Sequence, residues 1–342
     1  MKVAVLEYLS GGELQEDGNS PSLFNEGLAM LSALAIDLLQ CGHEVHTCLN
    51  TNVAFRSAKD AQFALFATHE ATLNNSILGG LNVHHIDQNY ADTAWAERWI
   101  EVALHCDQTI VIAPEIHQQL HRIVDKLRSA GATVVASSEA FLQATSDKLT
   151  TANLFIDAHV PHPATQTLSQ YRLSMDRLDN KNQELAVTLK RRDGAGCCDM
   201  KVFTSQQKLT EWLKNKESQN LMGDEWIVQE WLAGRPASMA LLTGDDWTLL
   251  GAVEQLEKLA SQVRVALPSG AAGWIGIDFL VPDESVGSKD LIVIEVNPRL
   301  TTSYLGYRKW YGYQLADALL GNVSFSDLKL AMNQQRITFD AS

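Results

Sequence analysis

Three oxygen-bearing side chains near the C-terminal end of the chain carry the first chemical signal. Asp278 stands in Gly276-Ile-Asp-Phe279, and Glu295 and Asn297 stand in Ile292-Val-Ile-Glu-Val-Asn297. Both stretches are rich in β-branched residues and read as neighbouring strands. Residues two apart on a strand face the same way, so Glu295 and Asn297 share a face. Two carboxylates and an amide oxygen are hard donors of the kind Mg²⁺ accepts beside phosphate oxygens. Arg299 follows two residues later as a clamp for phosphate or carboxylate. Taken alone, Glu-x-Asn is also an ordinary polar strand end.

Cationic residues lie upstream. Lys148 stands in Thr145-Ser-Asp-Lys148, a polar entry into a helix, and Lys190 ends the apolar strand Leu185-Ala-Val-Thr-Leu-Lys190. A first-turn lysine is locally unfavourable beside a helix N-terminus, which makes a functional reading of Lys148 more attractive. The strand runs into Arg191-Arg-Asp-Gly-Ala-Gly196, where Gly194 and Gly196 permit close backbone approach to a phosphate. Trp226-Ile-Val-Gln-Glu-Trp-Leu-Ala-Gly234 is another apolar strand closing on a glycine.

A lysine, a lysine–glycine loop, a hinge strand, an Asp and then Glu-x-Asn, in that order, resemble the ATP-grasp enzymes. The resemblance runs from about Ala136 to about Arg308. It implies an ATP-dependent carboxylate–amine ligase that forms an amide through an acylphosphate. It assigns Lys148 and Lys190 to the ATP phosphates, Gly194 and Gly196 to the loop over them, and Gln229, Glu230 and Leu232 to the adenine slot. Asp278, Glu295 and Asn297 match the metal ligands, for Mg²⁺ or Mn²⁺, and Arg299 and Lys190 match catalytic groups. The sequence departs from the family in two places. Arg191 replaces the usual proline after the lysine, and Arg235-Pro-Ala237 stands where relatives carry a ribose-binding acid.

At the N-terminus, Val5-Leu-Glu-Tyr-Leu-Ser-Gly-Gly12 and Ser22-Leu-Phe-Asn-Glu-Gly-Leu-Ala-Met-Leu31 resemble the tyramine–glutamate ligase branch, which serves methanofuran-type C1-carrier biosynthesis. That resemblance implies joining of a glutamate γ-carboxylate to tyramine or a similar aromatic amine. Glu7, Tyr8, Gly11, Gly12 and Glu26 fall at the carboxyl end of the first strand and its partner helix, where open α/β sheets bind ligands. Tyr304 is a candidate for the aromatic wall. Glu26 is equally a first-turn helix carboxylate, and no general base stands out. Two alternatives remain: an ATP-grasp ligase for another amino-acid, peptide or carbamoyl-type substrate, and a non-catalytic nucleotide-binding regulator.

The elements that must hold these residues follow from periodicity. The fold class is α/β: an ATP-grasp fold with an N-terminal Rossmann-like, pre-ATP-grasp unit. Lys2–Tyr8 and Glu44–Leu49 read as strands, with a helix between them capped by Ser22 and ended by Gly42. Further elements are expected at 94–105 (helix), 109–113 (strand), 116–130 (helix) and 133–136 (strand). The expected divisions are 1–113, 114–227 with the lid and glycine loop, and 228–342 with the metal site, because 342 residues exceed what one core usually serves.

The net charge of −14 argues against a nucleic-acid partner. Five cysteines without a CxxC pair indicate neither zinc nor a disulfide framework. No signal peptide is read at the N-terminus, and no apolar run is expected to reach the ~20 residues that span a bilayer. The expected setting is the cytoplasm, with small-molecule carboxylate and amine substrates and a homodimer compatible with the sequence. His117 and His121 share a helix face, which reads as solvated rather than zinc-binding.

Overall fold

The computed structural model describes residues 1–12, 21–50, 79–86, 94–174, 186–194, 200–214, 224–244, 246–251, 254–283, 290–324 and 327–328. Gly196 and the adjacent Cys197-Cys198 lie outside them.

The N-terminal sheet is parallel, in the order β3-β2-β1-β4, with β1 at Lys2–Glu7, β2 at Glu44–Asn50, β3 at Leu81–Ile86 and β4 at Gln108–Ile112. Strand alternation divides its apolar residues between two cores. Val3 and Val5 face the helix Pro21–Gln40 through Leu31, Leu34 and Leu38. Ala4 and Leu6 face Trp99 of the helix Ala94–Leu104 and Ile123 and Leu127 of the helix Gln119–Ser129. Helices on both faces explain why β1 reads as one continuous apolar run.

Local differences from the sequence expectation have physical causes. Ser22 sits inside the first turn of a helix that begins at Pro21, and its hydroxyl donates to Glu26 Oε1 at 2.8 Å rather than capping the backbone. The helix expected at 116–130 is broken, because His117 and Gln118 take left-handed backbone angles, φ 52° and 58°. The strand expected at 133–136 is only a single parallel bridge from Val134 to Thr109. Ser22–Gln40 is also an apolar run of 19 residues, long enough to cross a bilayer, contrary to expectation; 67% of its 18-residue apolar window is buried within the fold. It carries the buried Asp37, which takes hydrogen bonds from Tyr304 Oη (2.6 Å) and Arg308 Nη2 (2.6 Å).

Two antiparallel sheets complete the fold. One has the order β5-β8-β6-β7, with β5 at Thr165–Thr167, β6 at Val187–Arg191, β7 at Lys201–Phe203 and β8 at Trp226–Glu230. The expected division at 227/228 falls inside β8, which pairs with both β5 and β6, so the whole strand goes with this sheet. The other sheet has the order β10-β9-β11-β12, with β9 at Gly234–Thr243, β10 at Trp247–Leu249, β11 at Gly273–Pro282 and β12 at Ile292–Asn297. One face of it buries Met239, Leu241, Ile275, Ile277 and Val296 against Phe155 and the helix Glu254–Ala266. Ala240, Leu242 and Trp274 join the first core through Tyr304 and Leu315, so one end of the opposite face is closed. The remaining end carries Asp278, Glu295 and Asn297.

Candidate active site

Strand register brings the three oxygen donors together. Asp278 is directly opposite Glu295 and Asn297 is opposite Gly276, so all three side chains point to one face. Asn297 Nδ2 donates to Asp278 Oδ2 at 2.9 Å, which leaves its amide oxygen available. Ser238 of β9, opposite Asp278 on the other side, donates a short hydrogen bond to Asp278 Oδ1. Burial and the Glu295 charge raise the Asp278 pKa, against the hydrogen bonds from Ser238 and Asn297. Two facing carboxylates of this kind call for a cation. Gly276 matters for space: a Cβ there would meet Thr301 Cγ2 at 2.7 Å, so only glycine lets the segment after β12 fold back over the sheet.

Lys148 supplies that cation here. Its Nζ lies 2.8 Å from Glu295 Oε1 and also donates a short hydrogen bond to the Gly194 carbonyl. Burial would raise the Glu295 pKa, but the charges of Lys148, Lys190 and Arg299 outweigh it and hold the group below its ordinary value. Both lysines therefore converge on the acidic face, from different elements. Lys148 begins the helix Lys148–Asp157, and Lys190 is a buried side chain of β6.

The helix start is fixed by Asp147, whose Oδ1 accepts from Leu149 N (3.0 Å) and Thr150 N (3.2 Å). An aspartate cap also offsets the lysine beside the helix N-terminus. Asp147 further forms an ion pair with Arg192, and Lys148 N donates to the Arg192 carbonyl at 3.0 Å. The loop leaving β6 is thus tied to the helix that carries Lys148. The adenine candidates lie nearby: Gln229 and Glu230 end β8, and Leu232 follows it. The Gln229 side chain is spent on Thr165 Oγ1 at 2.9 Å, its carbonyl accepts from Thr188 Oγ1 at 3.2 Å, and the Glu230 and Trp231 amides donate to the Ala164 and Ala186 carbonyls at 2.9 and 3.0 Å. A narrow cleft, with only about 10 Å³ accessible to water-sized groups, runs between the two antiparallel sheets, lined by Lys148, Phe155, His162, Gln229, Ile294 and Glu295.

Arg299 has a partner that the sequence does not announce. Its Nε and Nη2 meet both oxygens of Glu115, at 2.8 and 3.0 Å, in a buried bidentate pair. Burial opposes its charge, but Glu115, Glu295 and Asp278 more than offset that and raise its pKa. Sequence reasoning missed Glu115. The available signal was a carboxylate just past a parallel strand, at the ligand end of an open sheet. It missed Ser238 because only cross-strand register reveals it.

Glu7 and Glu26 line a second cavity with Arg299. Tyr8 is not part of its wall: it is 3% exposed, stacks edge-on against Trp95 at 5.6 Å and accepts from Gln119 Nε2 at 3.0 Å. Tyr304 is likewise spent on Asp37 and fully buried, so neither tyrosine is placed to face a substrate. Gly11 and Gly12 serve packing, since a Cβ on Gly11 would lie 2.0 Å from the Cys48 carbonyl and one on Gly12 2.5 Å from that of Tyr8.

Parallel sheet, two antiparallel sheets and a cation-and-carboxylate cleft between the latter define an ATP-grasp protein. The chain belongs to that superfamily: residues 145–256 and 250–303 match the ATP-grasp domain, and residues 64–140 match the pre ATP-grasp 3 domain. Among curated relatives it is similar to tyramine–L-glutamate ligases, at 25% identity over 141 residues for that of Methanocaldococcus jannaschii and 23% for that of Methanocaldococcus fervens. These matches cover 35% of this chain and 44% and 46% of the relatives, so the chain spans less than half the length of the curated relatives it matches. Among solved structures, a candidate ATP-grasp superfamily protein from Archaeoglobus fulgidus shares 20% identity at a TM-score of 0.60, over 94% of this chain and 88% of the other. Biotin carboxylase from Campylobacter jejuni in a β-γ-ATP complex aligns at a TM-score of 0.65 and 15% identity, over 96% and 73%. The biotin carboxylase domain of the Hydrogenobacter thermophilus 2-oxoglutarate carboxylase, a dimer whose structure contains MgADP, aligns at 0.63 and 12%, over 96% and 72%.

Proposed function

We propose that this protein is an ATP- and Mg²⁺-dependent ligase that joins a carboxylate to an amine, with glutamate and tyramine or a similar aromatic amine as substrates. The observation that carries the reading is the convergence of Lys148 and Lys190 on the face formed by Asp278, Glu295 and Asn297. A carboxylate is a poor electrophile because oxide is its leaving group. Transfer of the γ-phosphoryl group of ATP converts it to an acylphosphate, which an amine can attack with loss of phosphate. The protein's part is alignment and charge neutralisation.

The donor set fits the metal. Asp278 and Glu295 supply two carboxylates on adjacent strands, Asn297 an amide oxygen, and the Lys148 ammonium already occupies a cation position beside Glu295. When bound, Mg²⁺ would neutralise phosphate charge and orient the γ-phosphoryl group. Among the described residues no group of three His, Cys, Asp or Glu side chains is gathered for another metal. Lys148 on the cleft wall and Lys190 on β6, whose charges both act on Glu295, hold the triphosphate, and the segment Gln229, Glu230 and Leu232 meets the adenine edge. Gly194, whose carbonyl accepts from Lys148 Nζ, belongs to the loop over the phosphates. Arg299, oriented by Glu115, stabilises the charge on the transferring group. The functional units are taken as the N-terminal sheet to residue 113, the lid sheet through β8, and the metal-bearing sheet beyond it.

The similarity to tyramine–glutamate ligases supports the substrate pair. Among the described residues, the apolar side chains beside Glu7 and Arg299 that could receive a phenol ring are Leu9, Leu23, Met30 and Ile112. The test is mass spectrometry of reactions containing ATP, Mg²⁺, glutamate and tyramine, with tyrosine and lysine as comparison amines. A γ-glutamyl-tyramide product with ADP and phosphate is expected. ATP consumption only with a non-aromatic amine would reject the substrate pair and keep the ligase.

A further inference from the structure

The cavity at the carboxyl ends of β1 and β4 has a chemistry that phosphoryl transfer alone does not use. Glu7 and Glu26 lie on it beside Arg299, among apolar side chains that include Leu9, Met30 and Ile112. It is open to solvent, with about 50 Å³ accessible to water-sized groups, enough for the ammonium end of an amine whose tail lies toward solvent. Arg299 ends the metal-bearing strand segment, so the cavity adjoins the place where the activated carboxylate is made. Glu7 is 2% exposed and wedged: Gly27 passes so close that a Cβ there would lie 2.4 Å from Glu7 Oε1. Its oxygens accept from Leu9 N (3.1 Å) and Ser10 N (2.6 Å), which fixes the carboxylate in one orientation.

We propose that this cavity seats the attacking amine of the ligase reaction and that Glu7 accepts its first proton; the proposal rests on the ligase reading above. Two carboxylates in an apolar cavity recognise a primary ammonium with an apolar tail. The ammonium gives one proton to Glu7 and becomes a free amine. Its nitrogen lone pair attacks the acylphosphate carbonyl carbon, and the C–N bond forms. The carbon–oxygen bond to the phosphoryl group then breaks, phosphate leaves with that electron pair, and the second nitrogen proton goes to the departing phosphate.

The environment suits the role. Burial is the largest influence on Glu7 and raises it from 4.5 to about 7, against the Ser10 hydroxyl, the Leu9 and Ser10 amides and the Arg299 charge. Glu26 on the helix Pro21–Gln40 and the Arg299–Glu115 pair are the other charged groups facing this cavity. A primary amine titrates at about 10, so transfer to an ordinary glutamate is uphill by about 6 pH units and to this one by about 3.

The experiment separates amine activation from carboxylate activation. Hydroxylamine is already unprotonated at pH 7 and traps an acylphosphate without help from a base. With ATP, Mg²⁺ and glutamate, E7Q is expected to keep hydroxamate formation within about threefold of wild type while tyramide formation falls by about 100-fold or more. Wild-type kcat for the tyramide rises with pH through about 7, and E7Q lacks that inflection. E7D, which restores a carboxylate, keeps the inflection. Normal tyramide turnover in E7Q overturns the proposal. So does equal loss of hydroxamate and tyramide in an E7Q protein that melts like wild type, since Glu7 is then structural. A wild-type protein that forms neither product rejects the glutamate–tyramine reading on which the proposal rests, and the proposal with it.

Discussion

Glu115 and Arg299 are 184 residues apart in the chain and meet as a bidentate ion pair, 2.8 and 3.0 Å, with the Glu115 side chain 2% and that of Arg299 14% exposed. The first follows β4 of the parallel sheet, and the second follows the candidate metal ligand Asn297. The pair therefore fastens the N-terminal unit to the segment that follows β12. Removing one partner of a buried pair leaves the other charge uncompensated, at a cost of about 3–5 kcal/mol. Glu115→Ala is expected to lower stability in urea by that order and to reduce turnover, and Glu115→Gln is expected to do less of both. Unchanged denaturation midpoints in Glu115→Ala would contradict the latch.

Asp278 and Glu295 face each other across two strands, with hydrogen bonds and Lys148 absorbing their repulsion. Asp278→Ala and Glu295→Ala are expected to abolish Mg²⁺-supported turnover while the proteins still melt cooperatively. Loss of a mutually repelling carboxylate need not lower stability. Initial-rate assays across Mg²⁺ concentrations check this, and near-normal rates in either variant would remove that residue from the metal site.

Lys190 is buried on β6 and its charge acts on Glu295. Lys190→Ala is expected to weaken ATP binding by about tenfold or more, equivalent to about 1.4 kcal/mol. Calorimetric titration with ATP and Mg²⁺ reads this directly. An unchanged dissociation constant would take Lys190 out of the nucleotide site.

Asp147 caps the helix of Lys148 and pairs with Arg192. Burial works to raise its pKa, but Arg192 and the Thr150 and Leu149 amides lower it below 3.8. Its folded pKa is below its unfolded one, so its stabilisation is complete above about 3.8 and is lost as pH falls through the folded value. Asp147→Ala is expected to cost about 1–2 kcal/mol at pH 7 from the cap alone. The difference from wild type narrows below pH 3.8. Denaturant titrations at pH 7 and pH 3 test the sign, and a gap that widens in acid would refute it.

The sequence by itself determined the local features. Apolar runs and helical periodicity located β1, β2, β4, β6, β8, β11 and β12 and the helices at 21–40, 94–104 and 148–157, because burial on one face or two leaves a period in the chain. Two-residue spacing put Glu295 and Asn297 on one face, since a strand alternates whatever it packs against. Tertiary structure alone decided the pairings. Register set Ser238 beside Asp278 and Asp278 opposite Glu295, and register depends on which strands meet. Tyr304, read as a substrate wall, went instead to the buried Asp37 on a helix 267 residues away. Glu115 reached Arg299, and burial turned Glu7 from an ordinary strand-end acid into one that titrates near neutrality. These are long-range outcomes: a side chain's partner and its dielectric surroundings are properties of the packed chain, and no residue carries them in its own neighbourhood of the sequence.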